Sequence, residues 1–306
     1  MLIQTSEISN WRDLQKKVAT LFLEMGYRTE SPYIIELAGR GKKEVDVYVE
    51  DERASVNQIM LIECKSWSNR VPQDTVHSMH TVMHGAGANT GFIISKRGFQ
   101  KGAREAAKST NIHLLTWDEL QHKFGRQWLA YQSEQLEKLI AELRGIDHIH
   151  LAQNEPIRTI HNNMVFRATG KSGELMDVLA DIRMVLLASI AQPQRYDVSG
   201  PIEVSVHGDT PGAVVDSYRG YSLSLPSVRA YFEWIVPTAR TCLERYRTLE
   251  QRSYAAFDSL QDDVSDAAFQ RVLDEATEEM PIRVFRKSLG EEAYLALIKQ
   301  YREKRT

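Results

Sequence analysis

Cysteine is nearly absent from this chain. Cys64 and Cys242 are the only two, far apart and without metal-type spacing, which excludes a disulfide framework and a zinc ribbon. Long apolar runs are absent as well: none approaches the ~20 residues needed to span a bilayer, so no membrane partner is expected. The opening residues, MLIQTSEISNWRDLQKK, lack the basic start and apolar core of a signal peptide, and the cytoplasm is the expected compartment. A dominant charge is missing too. The net charge is −3, with 16 Lys+Arg against 15 Asp+Glu in residues 1–125 and 22 against 26 in the remainder. A basic field over the whole protein is excluded, and any nucleic-acid surface has to be a local patch.

What is present is an ordinary globular balance of 42% apolar and 26% charged residues, in a chain of 306 that accommodates two domains. Trp11, Leu14, Val18, Leu21 and Phe22 recur at helical spacing, with Asn10 as N-cap and Gly26 as the stop. SPYIIEL (31–37) reads as a strand beginning after Pro32, and AGRGKK (38–43) as a Gly-containing basic loop. EVDVYVE (44–50) alternates, with Val45, Val47 and Val49 on one face and Glu44, Asp46, Tyr48 and Glu50 on the other. A polar turn separates it from 58–65, so the two are predicted to pair antiparallel. Helices are expected over 73–84 and 99–110, strands over 91–95 and 112–116, and a helical turn or two over 117–123. Strands alternating with helices imply βαβ units on a mixed sheet.

The stretch IMLIECKSW (59–67) concentrates the chemistry. A central strand is apolar on both faces, yet this one ends in Glu63, Cys64, Lys65. Glu63 and Lys65 share a face because the side-chain period is two, and Cys64 faces the other way with Met60 and Ile62. Pairing with 44–50 brings Asp46 beside Glu63. Two adjacent carboxylates repel, and a divalent cation compensates them. Mg²⁺ held by Asp46, Glu63 and the Cys64 main-chain carbonyl suits phosphodiester hydrolysis, with Lys65 orienting water or offsetting charge on the phosphorane. The plainer alternative is a salt bridge at a strand end.

The helix ending EMGY (24–27), the strand EVDV (44–47), IECK (62–65) and the run VPQDTVHSMHTVMHGAGANTGFIISKRGFQKGAREAAKSTNIHLLTWDEL (71–120) together resemble the Mrr-like branch of the PD-(D/E)xK restriction-endonuclease superfamily, over about residues 10–123. The resemblance implies an α/β fold, a restriction-endonuclease-like mixed central sheet flanked by helices, followed by a second, mainly helical α+β domain. It implies Asp46 and Glu63 as metal ligands, Lys65 as the catalytic lysine, Mg²⁺ (or Mn²⁺) as cofactor, DNA as substrate and a homodimer or higher homo-oligomer. Many relatives place a Glu from the first helix at the metal site; the matching residue here is Gln15, which brings a carbonyl but no charge. Arg40, Lys42 and Lys43 in the basic loop, Gln73, and Lys96 and Arg97 after a strand end are candidate nucleic-acid contacts, with a solvated basic loop as the alternative for the first three. His77, His80 and His84 lie along one helix face and read as a surface or groove-lining stripe rather than a metal cluster. Trp67 is expected to pack, with stacking on a base as the alternative.

The expected domains are a nuclease domain (1–125), a connecting helix and linker (126–155) and an α-rich C-terminal recognition, regulatory or oligomerisation domain (156–306). A helix over 128–144 is expected to end at Gly145. Strands are expected at 162–170 and 201–209, and helices over 173–191, 227–255, 258–279 and 288–304. GKSGEL (170–175) lacks P-loop spacing and reads as a turn. The functional expectation is a Mg²⁺-dependent DNA endonuclease of the restriction or defence type. The rivals are a nucleic-acid-binding protein of the same fold that has weak or no catalysis, and a nuclease gated by a small-molecule or protein regulator through the C-terminal domain.

Overall fold

Asn10 opens α1 (Trp11–Leu23) by accepting the Asp13 amide at 3.0 Å, and Asp13 in return accepts the Ser9 amide at 2.8 Å. Leu14, Val18, Leu21 and Phe22 form its buried stripe. Trp11, expected in that stripe, is exposed instead, with the Arg12 guanidinium 5.1 Å over its ring. The helix stops where Gly26 takes a φ of 77°, letting the Gly26 and Tyr27 amides turn back to the Leu23 and Phe22 carbonyls at 2.9 and 3.2 Å. The computed structural model describes residues 3, 7–38, 41–151, 165–166, 169–195, 197, 200–206 and 221–263.

The central sheet has five strands in the order β1-β4-β5-β6-β7, drawn from β1 (Arg28–Glu30), β4 (Val47–Asp51), β5 (Gln58–Lys65), β6 (Thr90–Ser95) and β7 (Ile112–Thr116). β1, β4 and β5 run antiparallel in turn; β5, β6 and β7 are parallel. The parallel strands are joined through α2 (Gln73–Ala86) and α3 (Lys101–Ala107), the crossovers that a parallel pair requires. Leu61 and Ile93 point to one face and pack with Val76, Met79, Val82 and Met83 of α2. On the other face Phe92 meets Phe22 of α1 and Phe124 at ring separations of 6.4 and 5.7 Å. β5 is thus covered on both sides, which is why its sequence is apolar on both.

The alternating segment 44–50 is not one strand. It breaks at Asp46 into β3 (Gly41–Val45) and β4, and β3 leaves the central sheet to pair with β2 (Tyr33–Leu37) in a two-stranded ribbon. The physical reason is burial: Val47, Tyr48 and Val49 are all buried in the central sheet, whereas Gly41, Lys42, Lys43 and Glu44 are exposed. The ribbon is tied to α2, where the Ala38 amide donates to the Gly85 carbonyl at 3.0 Å.

The segments expected at 117–123 and 128–144 are one helix, α4 (Trp117–Leu151), which runs through Gly145. A glycine inside a helix costs about 1 kcal/mol, and burial of Leu143 and Ile146 on either side outweighs it. The remaining elements are α5 (Ser172–Ala188), the hairpin of β8 (Ile202–Val206) and β9 (Tyr221–Leu225), and α6 (Val228–Asp263). Residues 165–166 of the expected strand at 162–170 are helical, a turn of backbone that buries Val165 and Phe166. Residues 169–170 form a turn; residues 162–164 and 167–168, and the expected helices beyond residue 263, lie outside the described residues. Two compact units emerge, Met1–Leu136 with Ala191–Glu233, and Glu137–Ile190 with Trp234–Thr306. Among the described residues no helix is long and apolar enough to cross a membrane.

Candidate active site

The β4–β5 register pairs Val47 with Ile62, and one step further sets Asp46 across from Glu63. Because the chain bends at Asp46, its carbonyl has no ladder partner and is taken by side chains instead: Gln15 Nε2 donates to it at 2.7 Å and Ser31 Oγ at 2.8 Å. The carboxylate accepts the Cys64 amide through Oδ2 at 2.7 Å. That amide therefore faces the β4 side, and the Cys64 carbonyl faces it with the amide, since both groups of a strand residue point the same way. Lys65 alternates, its carbonyl accepting the Lys96 amide at 3.1 Å on the β6 side. With β4 ending at Val47, the Cys64 carbonyl opens toward the space held by the Asp46 carboxylate.

Lys65 Nζ donates to Glu63 Oε1, and the same ammonium lies 5.0 Å from the centre of the Trp67 ring. Burial first, then the neighbouring Glu63 carboxylate, pushes the Asp46 carboxyl above its ordinary range; the Cys64 amide and Lys65 pull it back only in part. Cys64 itself faces the core, and its thiol is pushed well up by burial and by the two carboxylates, so it is no nucleophile. The fold thus holds two carboxylates together against repulsion, and two carboxylates with a main-chain carbonyl are a set of hard oxygens that fits Mg²⁺. Among the described residues there is no cluster of three or more His, Cys, Asp and Glu side chains able to hold a metal ion. A two-carboxylate site is the kind in which Mg²⁺ retains several waters.

Glu63, Lys65 and Trp67 line a cleft of about 350 Å³ whose floor is Val45, Leu61, Met79 and Val82. Lys43 from the ribbon and Asp74, Thr75 and Ser78 from α2 complete its polar lining. Thr75 and Ser78 were not singled out from the sequence, although their spacing with Val82 places all three along one stripe of α2. Gln15 is 7% exposed and reaches the main chain of Asp46 rather than a carboxylate. Lys42 extends from β3 toward Glu36 at 3.6 Å, both well exposed. Gln73 lies with its amide oxygen against Gly102 of α3 and is not part of the cleft lining. Lys96 and Arg97 follow β6 at the same sheet end as Lys65, with Lys96 Nζ donating to the Ile8 carbonyl at 2.8 Å. Arg40 lies outside the described residues. His77, His80 and His84 are all exposed on α2. Trp67, expected to pack, is 45% exposed, with Lys65 over its ring.

A mixed sheet carrying an Asp at a strand break, and Glu and Lys two residues apart on the adjoining strand, defines the restriction-endonuclease-like class of nuclease folds. Residues 7–124 match the family model Mrr_cat, described as a restriction endonuclease. The resemblance of EVDV and IECK to that family is borne out for this segment. No curated protein matches the chain. Among solved structures, the crystal structure of a protein of unknown function, AF1548, is similar at 15% identity over 58% of this chain and 98% of its own, with a TM-score of 0.33, too low to carry an argument.

Proposed function

We propose that the protein is a Mg²⁺-dependent endonuclease that hydrolyses phosphodiester bonds of DNA, of the restriction or defence type. The observation that supports this most is the convergence of Asp46, Glu63 and Lys65 at one end of β5, inside the segment matching a restriction endonuclease family. Asp46, Glu63 and the Cys64 carbonyl would hold the ion, which polarises the phosphate and lowers the pKa of bound water. Gln15 and Ser31 fix the Asp46 main chain, and the Cys64 amide fixes its carboxylate, so that side chain is held in place before any ligand arrives. Lys65, lodged between Glu63 and Trp67, offers an ammonium to orient the attacking water or offset charge building on the phosphate. Lys43 stands at the cleft, and Lys96 and Arg97 at the same sheet end, as proposed backbone contacts, with Lys42 exposed on the ribbon next to Lys43 in sequence. The same proposal includes a homodimer or higher homo-oligomer; a nuclease gated by a small-molecule or protein regulator through the C-terminal domain is its rival.

The test is cleavage of plasmid DNA in Mg²⁺ or Mn²⁺ beside Asp46→Ala and Lys65→Ala. Each substitution is expected to reduce the rate by about 10²-fold or more. Wild-type protein that never cuts, or variants that cut as well as it does, would sink the proposal. Gln15 favours a second reading, a DNA-binding protein with weak catalysis, because its amide brings no charge to the metal site. Tight binding without cutting in either metal would select it.

A further inference from the structure

We infer that the cleft beside Glu63 and Lys65 receives one unpaired nucleobase, stacked on Trp67, so that the enzyme acts on DNA where a nucleotide stands outside the double helix. This rests on the nuclease reading of the same site and specifies its substrate.

Contact with a phosphate backbone calls for cations and hydrogen-bond donors; it has no use for apolar surface. This cleft has both kinds of wall. Its polar lining is Lys43, Glu63, Lys65, Asp74, Thr75 and Ser78, two ammonium groups beside two carboxylates, and its apolar lining includes Val45, Leu61, Met79 and Val82. Trp67, two residues beyond Lys65 in the chain, lines the same cleft. The indole is 45% exposed, with the Lys65 ammonium over its ring, and leaves part of its apolar surface in water. Placed beside an apolar floor, the ring is a platform for a flat, polarisable ligand, and a nucleobase has such a face whatever its sequence. The Lys65 ammonium, 5.0 Å from the ring centre, then lies next to the phosphate that the base carries with it. Volume selects among nucleic acids. About 350 Å³ is at the small end of ligand sites and accommodates one nucleotide, not a duplex. A base inside an intact stack cannot reach the floor; an extruded or single-stranded one does.

The experiment measures binding of the full chain, in a chelator and again with Ca²⁺, by anisotropy of three labelled DNA probes: a paired duplex, the same duplex with one unpaired nucleotide, and a single strand. The unpaired and single-stranded probes are expected to bind about tenfold or more tightly than the paired duplex. Trp67→Ala should erase that difference and Trp67→Phe should keep most of it. If Trp67 merely steadies Lys65, substitution would alter cleavage and leave the probe preference intact. Equal affinity for all three probes, no binding to any, or a preference that survives Trp67→Ala overturns the inference, thermal melts showing that each variant is folded. Adding Mg²⁺ to the same mixtures separates it from the nuclease reading. Preference without cutting upholds the stacking and refutes the nuclease; cutting that ignores both pairing and Trp67 does the reverse.

Discussion

Asp46 is held in a state its own charge disfavours. Burial and Glu63 raise its carboxyl above the ordinary range, so the folded protein binds that proton more tightly than the unfolded chain does. A raised carboxyl contributes stability that is fully present below the ordinary Asp range and is lost as pH rises through the raised value. At neutral pH, in a chelator, the ionised side chain therefore weakens the fold. Asp46→Asn, which can still accept the Cys64 amide, should raise Tm there by about 2–4 °C, roughly 1 kcal/mol, and the gain should fade in acid. A melt series against pH checks this; an unchanged or lower Tm at neutral pH counts against the account. The pairing of Asp46 with Glu63 was legible in the sequence because strand parity is arithmetic. The use of Gln15 was not, since its bond to the Asp46 carbonyl joins residues 31 apart through a backbone bend that alternation does not announce.

At the scale of elements, two glycines read alike in the sequence and act in opposite ways. Gly26 ends α1 with a positive φ, and a Cβ there would clash with the Tyr131 ring. Gly26→Ala should destabilise by about 2–4 kcal/mol through strain and overpacking together. Gly145 was expected to end a helix, yet α4 continues through it, and a Cβ there meets nothing within 4 Å. Gly145→Ala should stabilise by about 0.5–1 kcal/mol. Chemical denaturation of both variants beside wild type measures the pair; matching signs would refute this reading. Sequence marks where a helix is free to stop, while burial of neighbours such as Leu143 and Ile146 decides whether it does. The split of 44–50 was illegible for a similar reason. Its alternation is continuous, and only the change from buried valines to exposed lysines reveals two sheets.

Across the whole molecule, the unit that contains the site is assembled from distant parts of the chain, residues 1–136 and 191–233. Glu24, just past α1, shows how they are joined: Arg229 NH2 donates to it at 2.6 Å and the Trp128 indole at 2.9 Å. Burial raises the Glu24 carboxyl in spite of Arg229, so the ion pair offsets a desolvation that persists without it. Arg229→Ala should cost about 1–3 kcal/mol, more at neutral pH than in acid, where Glu24 is protonated and needs no partner. A pH-independent loss in thermal melts would show that packing, not charge, is what Arg229 contributes. The likeness to a nuclease family covers residues 7–124, and composition gave no sign that residues 191–233 join the same unit.

The break at Asp46 also separates what can drift from what cannot. The β2–β3 ribbon joins the central sheet through Ser31 and Pro32 on one side and Asp46 on the other, so a change of length between its two strands leaves the step from Asp46 to Val47 untouched. One residue gained or lost between Asp46 and Val47 would reverse the parity of every side chain beyond it. Length changes are thus tolerated least between Asp46 and Val47, where parity aims the carboxylate.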